Sequence, residues 1–162
     1  KNSNGDFVCK ITSDCPLIDP EIVDKVIKYY FENEKKFDYV SNVHPATFPD
    51  GLDVEMFSLA TLERSWKEAK NQDEREHTTT YMWKNPLIFR IGSVTMSKGE
   101  NLFKKERWTV DYPEDFEFIK AIYENLYHNG KIFLLNEILE FLSEREDIKK
   151  INQHLVEKNA VH

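Results

Sequence analysis

Two β-prone runs of this chain end on an aspartate that is followed closely by a proline, in Thr12-Ser13-Asp14-Cys15-Pro16 and in Thr109-Val110-Asp111-Tyr112-Pro113. A helix start follows in both places. After Asp14, Asp19-Pro20-Glu21 supplies an N-cap carboxylate, a proline at the first helical position and an acid in the first turn. After Asp111, Pro113-Glu114-Asp115 opens a second helix. A chain that twice runs strand, carboxylate, helix is constrained to layers of helix against sheet, and in open α/β sheets ligands gather at the carboxyl ends of the strands. Two aspartates far apart in sequence can thereby converge on one point.

The rest of the chain keeps this alternation. Strands are predicted over residues 6–13, 37–41, 52–57, 88–96 and 107–110. Helices are predicted over 19–34, from a Ser58 cap through Trp66, over 75–84, from Pro113 to the stop at Asn129-Gly130, and over 134–143 and 148–158. Pro49-Asp50-Gly51 signals a turn, and another is predicted over 97–100. The fold class is therefore α/β. A length of 162 residues suits a single domain over 1–162, with 131–162 as its C-terminal helical segment.

Composition removes several function classes. Hydrophobic content of 40% and aromatic content of 13% exclude a disordered chain. A net charge of −7 argues against a nucleic-acid partner, which needs clustered Lys and Arg on one face. No apolar run approaches the roughly 20 residues of a membrane helix, and no signal-peptide pattern opens the chain, so a soluble cytoplasmic protein is expected. Cys9 and Cys15 make neither a disulfide framework nor a zinc pattern.

Three constellations are candidates for chemistry. Asp14 and Asp111 suit Mg²⁺, a hard cation that takes oxygen ligands and keeps waters and phosphates in its shell. The same aspartates are also good turn and helix caps. Arg75-Glu76-His77 combines a bidentate anion grip with a proton-shuttling imidazole, and reads equally as a mixed-charge helix surface. In Pro49-Asp50-Gly51-Leu52-Asp53-Val54-Glu55, Asp53 and Glu55 are two apart and share one strand face, where they bind hydroxyls or are simply solvated. Trp66, Trp83 and Trp108 read as core or interface aromatics.

Taken in order, Ile11-Thr12-Ser13-Asp14-Cys15-Pro16-Leu17-Ile18-Asp19-Pro20, Tyr39-Val40-Ser41-Asn42, Pro49-Asp50-Gly51-Leu52-Asp53-Val54-Glu55, Arg75-Glu76-His77 and Trp108-Thr109-Val110-Asp111-Tyr112-Pro113-Glu114-Asp115 resemble the cytidylyltransferases related to spore coat polysaccharide biosynthesis protein F, relatives of the CMP-Kdo and acylneuraminate synthetases. The resemblance runs to about His154. It implies a nucleotide-diphospho-sugar transferase-like, Rossmann-like layer fold with a mixed sheet. It also implies transfer of CMP from CTP to a sugar or sugar-like acid, with release of pyrophosphate, in surface polysaccharide synthesis by a homodimer. By this similarity Asp14 and Asp111 hold Mg²⁺, Arg75 joins them as catalytic, and Asn42, Asp50, Asp53, Glu55, Glu76 and His77 bind substrate.

The chain departs from the family pattern in three ways, one of them Thr80, which stands where proline is common after Arg-Glu-His. Tyr112 stands where threonine is common, and it cannot cap the helix after Asp111 as threonine would. No Gly/Arg/Lys-bearing triphosphate loop occurs in the sequence, so the chain is expected to be the C-terminal portion of a cytidylyltransferase without its nucleotide-binding part, unable by itself to bind CTP normally. A binding or dimerisation module of the same fold, and a transferase using another nucleotide, are the competing expectations.

Overall fold

The computed structural model describes residues 5–97 and 99–159. Lys98, within the turn predicted over 97–100, and residues 160–162 of the predicted C-terminal segment lie outside the described residues.

Four short strands form one mixed sheet: β1 (Phe7–Lys10), β2 (Tyr39–Ser41), β3 (Glu55–Ser58) and β4 (Ile91–Ser93), in the order β1-β3-β2-β4. β3 pairs antiparallel with both β1 and β2, while β2 pairs parallel with β4. Along the central strands the side chains alternate between two apolar layers, as a strand period of two requires. Val40 and Met56 pack with Ile22, Val26, Trp108, Phe118 and Ile122. Tyr39 and Phe57 pack on the opposite face with Met82 and Phe89. The sheet is thus covered on both sides, the arrangement of an α/β layer fold.

The helices follow local rules. In α1 (Pro20–Glu32), Asp19 accepts a hydrogen bond from the Glu21 amide at 2.7 Å, and Ile22, Val26 and Tyr30 recur on the buried face. α2 (Leu59–Glu68) starts at Ser58, whose hydroxyl accepts from the Thr61 amide at 3.0 Å. α5 (Pro113–Leu126) follows Tyr112, which makes no side-chain cap. Asp115 caps this helix instead, accepting from the amides of Asp111 and Tyr112, each at 3.1 Å.

Three sequence expectations give way. The helix predicted over 75–84 is split into α3 (Gln72–Glu76) and α4 (Thr80–Lys84). His77, Thr78 and Thr79 break it, since consecutive β-branched residues are poor helix formers. The helix predicted over 148–158 becomes α7 (Glu146–Lys149), which follows α6 (Leu135–Glu144), and a 3₁₀ turn over Gln153–Lys158. Between them Asn152 is buried and donates to the Arg107 carbonyl and to Asp115, both at 2.9 Å. The segment 107–110 is no strand. It makes a single parallel bridge, Asp50 to Arg107, because its amides are taken by loops: Trp108 donates to the Asp50 carbonyl at 2.7 Å and Val110 to that of Asp14 at 3.0 Å.

Gly51 makes this stitching close. Its φ is +102°, and a Cβ there would lie 2.5 Å from the Trp108 carbonyl carbon, so only glycine lets the 49–52 turn lie against Trp108.

Candidate active site

The two aspartate-bearing segments meet, although only the first follows a strand. The Asp14 carbonyl accepts from the Val110 amide at 3.0 Å and from the Thr109 hydroxyl at 3.2 Å, which brings Asp14 beside the residue preceding Asp111. Beside this seam opens a cleft of ≈ 280 Å³, lined by Asp14, Asp50, Asp53, Glu55, Glu76 and His77 among others but not by Asp111. The helix break at 77–79 is what turns the end of α3 into one of its walls.

Behind the cleft lies Arg107. Its guanidinium reaches Asp115 at 3.0–3.3 Å, Asp50 at 3.2 Å and Asp111 at 2.6 Å. Only 2% of its side chain is exposed, against 5% for Asp50, 0% for Asp115 and 49% for Asp111. One buried cation therefore ties three carboxylates from a turn, a loop and a helix, with geometry that only the planar guanidinium fork provides. Burial works against ionisation of Asp115, but hydrogen bonds from Arg107 and Asn152 hold its carboxyl below the usual range. Asp50 is less well compensated. Burial, opposed by Arg107 and reinforced by Asp111, Asp14 and Asp115, pushes its carboxyl up to about 7.

Asp53 differs again. Its side chain makes no ion pair or hydrogen bond among the described residues, and burial, with Asp50, Glu55 and Asp14 nearby, pushes its carboxyl up to about 7. Glu55 is anchored by Lys10 at 2.5 Å and by the hydroxyl of buried Tyr39. Lys10 also reaches the Thr79 hydroxyl at 3.4 Å, which links the sheet to the interrupted helix.

Three of the residues expected at the site do not line the cleft: Asp111, which lies on Arg107 beyond the seam, Asn42 and Arg75. Asn42 is buried and clamps its own loop, donating to the Leu52 carbonyl at 2.6 Å and accepting from the Val54 amide at 2.8 Å. Arg75 is turned from the cleft toward the end of α2, where it donates to the carbonyls of Ala69 at 3.3 Å and Trp66 at 3.5 Å, as cations do at helix C-termini. Of the tryptophans, Trp108 is fully buried, whereas Trp66 is 65% exposed.

The donor set at the seam suits a hard cation. Asp111 keeps one carboxylate oxygen that no other group bonds among the described residues, and Asp14 receives only a 3.8 Å contact from the Cys15 thiol. No group of three or more His, Cys, Asp or Glu is arranged to hold a metal among the described residues. Mg²⁺ does not need one, because it binds through one or two carboxylates and completes its shell with waters and phosphates.

The sequence profile described as cytidylyltransferase matches residues 1–157. The chain belongs to the cytidylyltransferase family. It is 34% identical over 159 residues to an uncharacterised protein of Methanocaldococcus jannaschii, covering 96% of this chain and 61% of that protein. It is 28% identical over 148 residues to the spore coat polysaccharide biosynthesis protein SpsF of Bacillus subtilis, covering 86% of this chain and 58% of that one. A solved cytidylyltransferase from Leptospira borgpetersenii superposes with a TM-score of 0.80 at 26% identity, over 90% of this chain and 59% of its own. The chain thus spans about three-fifths of the length of these relatives. The likeness to a solved cytidylyltransferase carries the expected α/β class and mixed sheet.

Sequence reasoning missed Arg107, Lys10 and Asn152. Arg107 has a faint signal, a cation on the aspartate-bearing run four residues before Asp111. Lys10 likewise interrupts an apolar run that leads to Asp14. Nothing local marks Asn152.

Proposed function

We propose that this chain forms the metal- and acceptor-binding side of a cytidylyltransferase that moves CMP from CTP onto a sugar-type acceptor, releasing pyrophosphate. The observation that carries this reading is the seam that brings Asp14 beside the Asp111 loop at the rim of a carboxylate-lined cleft, in a chain of the cytidylyltransferase family. Asp14 and Asp111 would hold Mg²⁺. When bound, that ion supplies charge neutralisation at phosphate oxygens, the main service a protein gives to phosphoryl transfer.

The chain's own residues do the positioning. Arg107 fixes the orientation of Asp111 and keeps one of its oxygens engaged. Asp50, Asp53 and Glu55 present oxygen acceptors to the hydroxyls of a sugar, with Glu55 set by Lys10 and Tyr39. His77 and Glu76 border the same space from the helix break. An acceptor oxygen aligned against the α-phosphorus forms the new P–O bond as the bond to pyrophosphate breaks. The name of the Bacillus relative favours surface polysaccharide synthesis as the setting.

Pyrophosphate release by the purified gene product, measured with CTP, Mg²⁺ and a panel of sugars, tests the reading. Release that depends on sugar and falls by at least about a hundredfold in Asp111→Asn supports it. Release that is unchanged in that variant contradicts it.

A further inference from the structure

The end of the chain brings a cation to the neighbourhood of Asp111, and its use rests on reading Asp111 as a metal ligand of a cytidylyltransferase. The 3₁₀ turn over Gln153–Lys158 is pinned at both ends to the Arg107 knot. Before it, buried Asn152 donates to the Arg107 carbonyl and to Asp115, each at 2.9 Å. After it, Asn159 donates to the carbonyls of Phe103 at 2.6 Å and Glu106 at 3.0 Å, and accepts from the Arg107 guanidinium at 3.4 Å. Lys158, one residue before that second clamp, is held with its ammonium 4.3 Å from the centroid of the Tyr112 ring. The Arg107 guanidinium lies 5.5 Å from the same centroid and bonds Asp111, the residue next to Tyr112, at 2.6 Å.

The two cations on this ring are in different states. Arg107 is buried and shared among Asp50, Asp111 and Asp115. Lys158 is exposed, and unlike Lys149, which pairs with Glu106 at 2.9 Å, it has its contact with an aromatic face rather than a carboxylate. A lysine ammonium is a hydrated point charge on a flexible stem, so an exposed one ordinarily samples many rotamers. The face of an aromatic ring attracts it and narrows that sampling while its N–H donors stay open to a ligand. An ammonium held in this way beside a carboxylate that holds Mg²⁺ is placed for the phosphate oxygens that complete the ion's shell, and lysine serves phosphate as a point charge.

We infer that Lys158 is a phosphate-binding residue of the Asp111 site, contacting the oxygens of a metal-bound polyphosphate, and that Tyr112 is the positioning residue that holds its ammonium there. Tyr112, which makes no side-chain cap for α5, serves the site through its ring.

Calorimetric titration of the Mg²⁺-saturated chain with inorganic pyrophosphate tests this. Lys158→Ala is expected to bind pyrophosphate about tenfold more weakly than the parent, and Lys158→Arg within about twofold of it. Tyr112→Leu is expected to lose about twofold to fivefold, whereas Tyr112→Phe, which keeps the ring, binds as the parent does. In Lys158→Ala the melting temperature and the affinity for Mn²⁺ alone are expected to stay at the parent's values, which a structural role for the lysine would not allow. Unchanged pyrophosphate affinity in Lys158→Ala, or a loss matched by an equal loss of Mn²⁺ affinity, would overturn the inference. If pyrophosphate binding falls in Asp111→Asn and not in Lys158→Ala, the metal reading stands and this inference falls. If the parent binds no pyrophosphate in the presence of Mg²⁺, both fall.

Discussion

Arg107 and Asp53 stand on two sides of one wall and show two uses of the same acidic chemistry. Around Arg107, three carboxylates from distant parts of the chain share a guanidinium that is 2% exposed, and Asn152 completes the set. Around Asp53, four further carboxylates line an open cleft in which Lys10 is the one ammonium among the described residues. Asp50, Asp111 and Asp115 are paired through Arg107, and Glu55 on the cleft wall is paired with Lys10, whereas Asp53 has no ion pair among the described residues. Asp50 belongs to both regions, paired with Arg107 at 3.2 Å and lining the cleft.

The comparison is broken most severely by Arg107→Ala. That change leaves Asp50 and Asp115 buried without their cation, and chemical denaturation is expected to show a loss of about 3–5 kcal/mol. A loss under about 1 kcal/mol, the range of surface pairs, would mean that the knot is not structural. Asn42→Ala comes next. It strips partners from the Leu52 carbonyl and the Val54 amide inside the loop that carries Asp53, and about 1–3 kcal/mol is expected in the same assay.

The change most specific to the cleft is at Asp53. In metal-free buffer the Asp53 carboxyl titrates near 7 in the folded chain but at its ordinary 3.8 when unfolded. Between those values the unfolded chain binds fewer protons, so this group lowers stability as pH rises. Asp53→Asn removes that loss, and its melting temperature is expected to gain on the parent's from about pH 4 to about pH 7 and then run parallel. A constant offset across that range would place Asp53 in ordinary solvent.

The two regions were unequally legible in the sequence. Part of the cleft was open to reading because its side chains fall in short local patterns, Asp14 after the first strand and the acids Asp53 and Glu55 two apart leading into β3. The knot was not, because Arg107, Asp115 and Asn152 meet only through tertiary contacts, with Asn152 reached from 45 residues away. The fold shows the same division. Caps such as Asp19 and Ser58 mark the helix starts seen in the structure. The segment 107–110 has the composition of a strand, but its amides are claimed by the Asp14 and Asp50 loops, which no local pattern reveals. Arg75 and Asn42 sit within motifs whose neighbours face the cleft, yet their own hydrogen bonds go to backbone carbonyls and amides.

The proposal to test is that Asp14 and Asp111, whose loops meet where the Asp14 carbonyl accepts from Thr109 and Val110, form one divalent-cation site. Titration of Mn²⁺ into the chain, followed by electron paramagnetic resonance of the free ion, measures it directly. The account predicts one site that weakens by about tenfold or more in Asp14→Asn and in Asp111→Asn, while Arg75→Ala binds as the parent does. Unchanged Mn²⁺ affinity in either aspartate variant would contradict it.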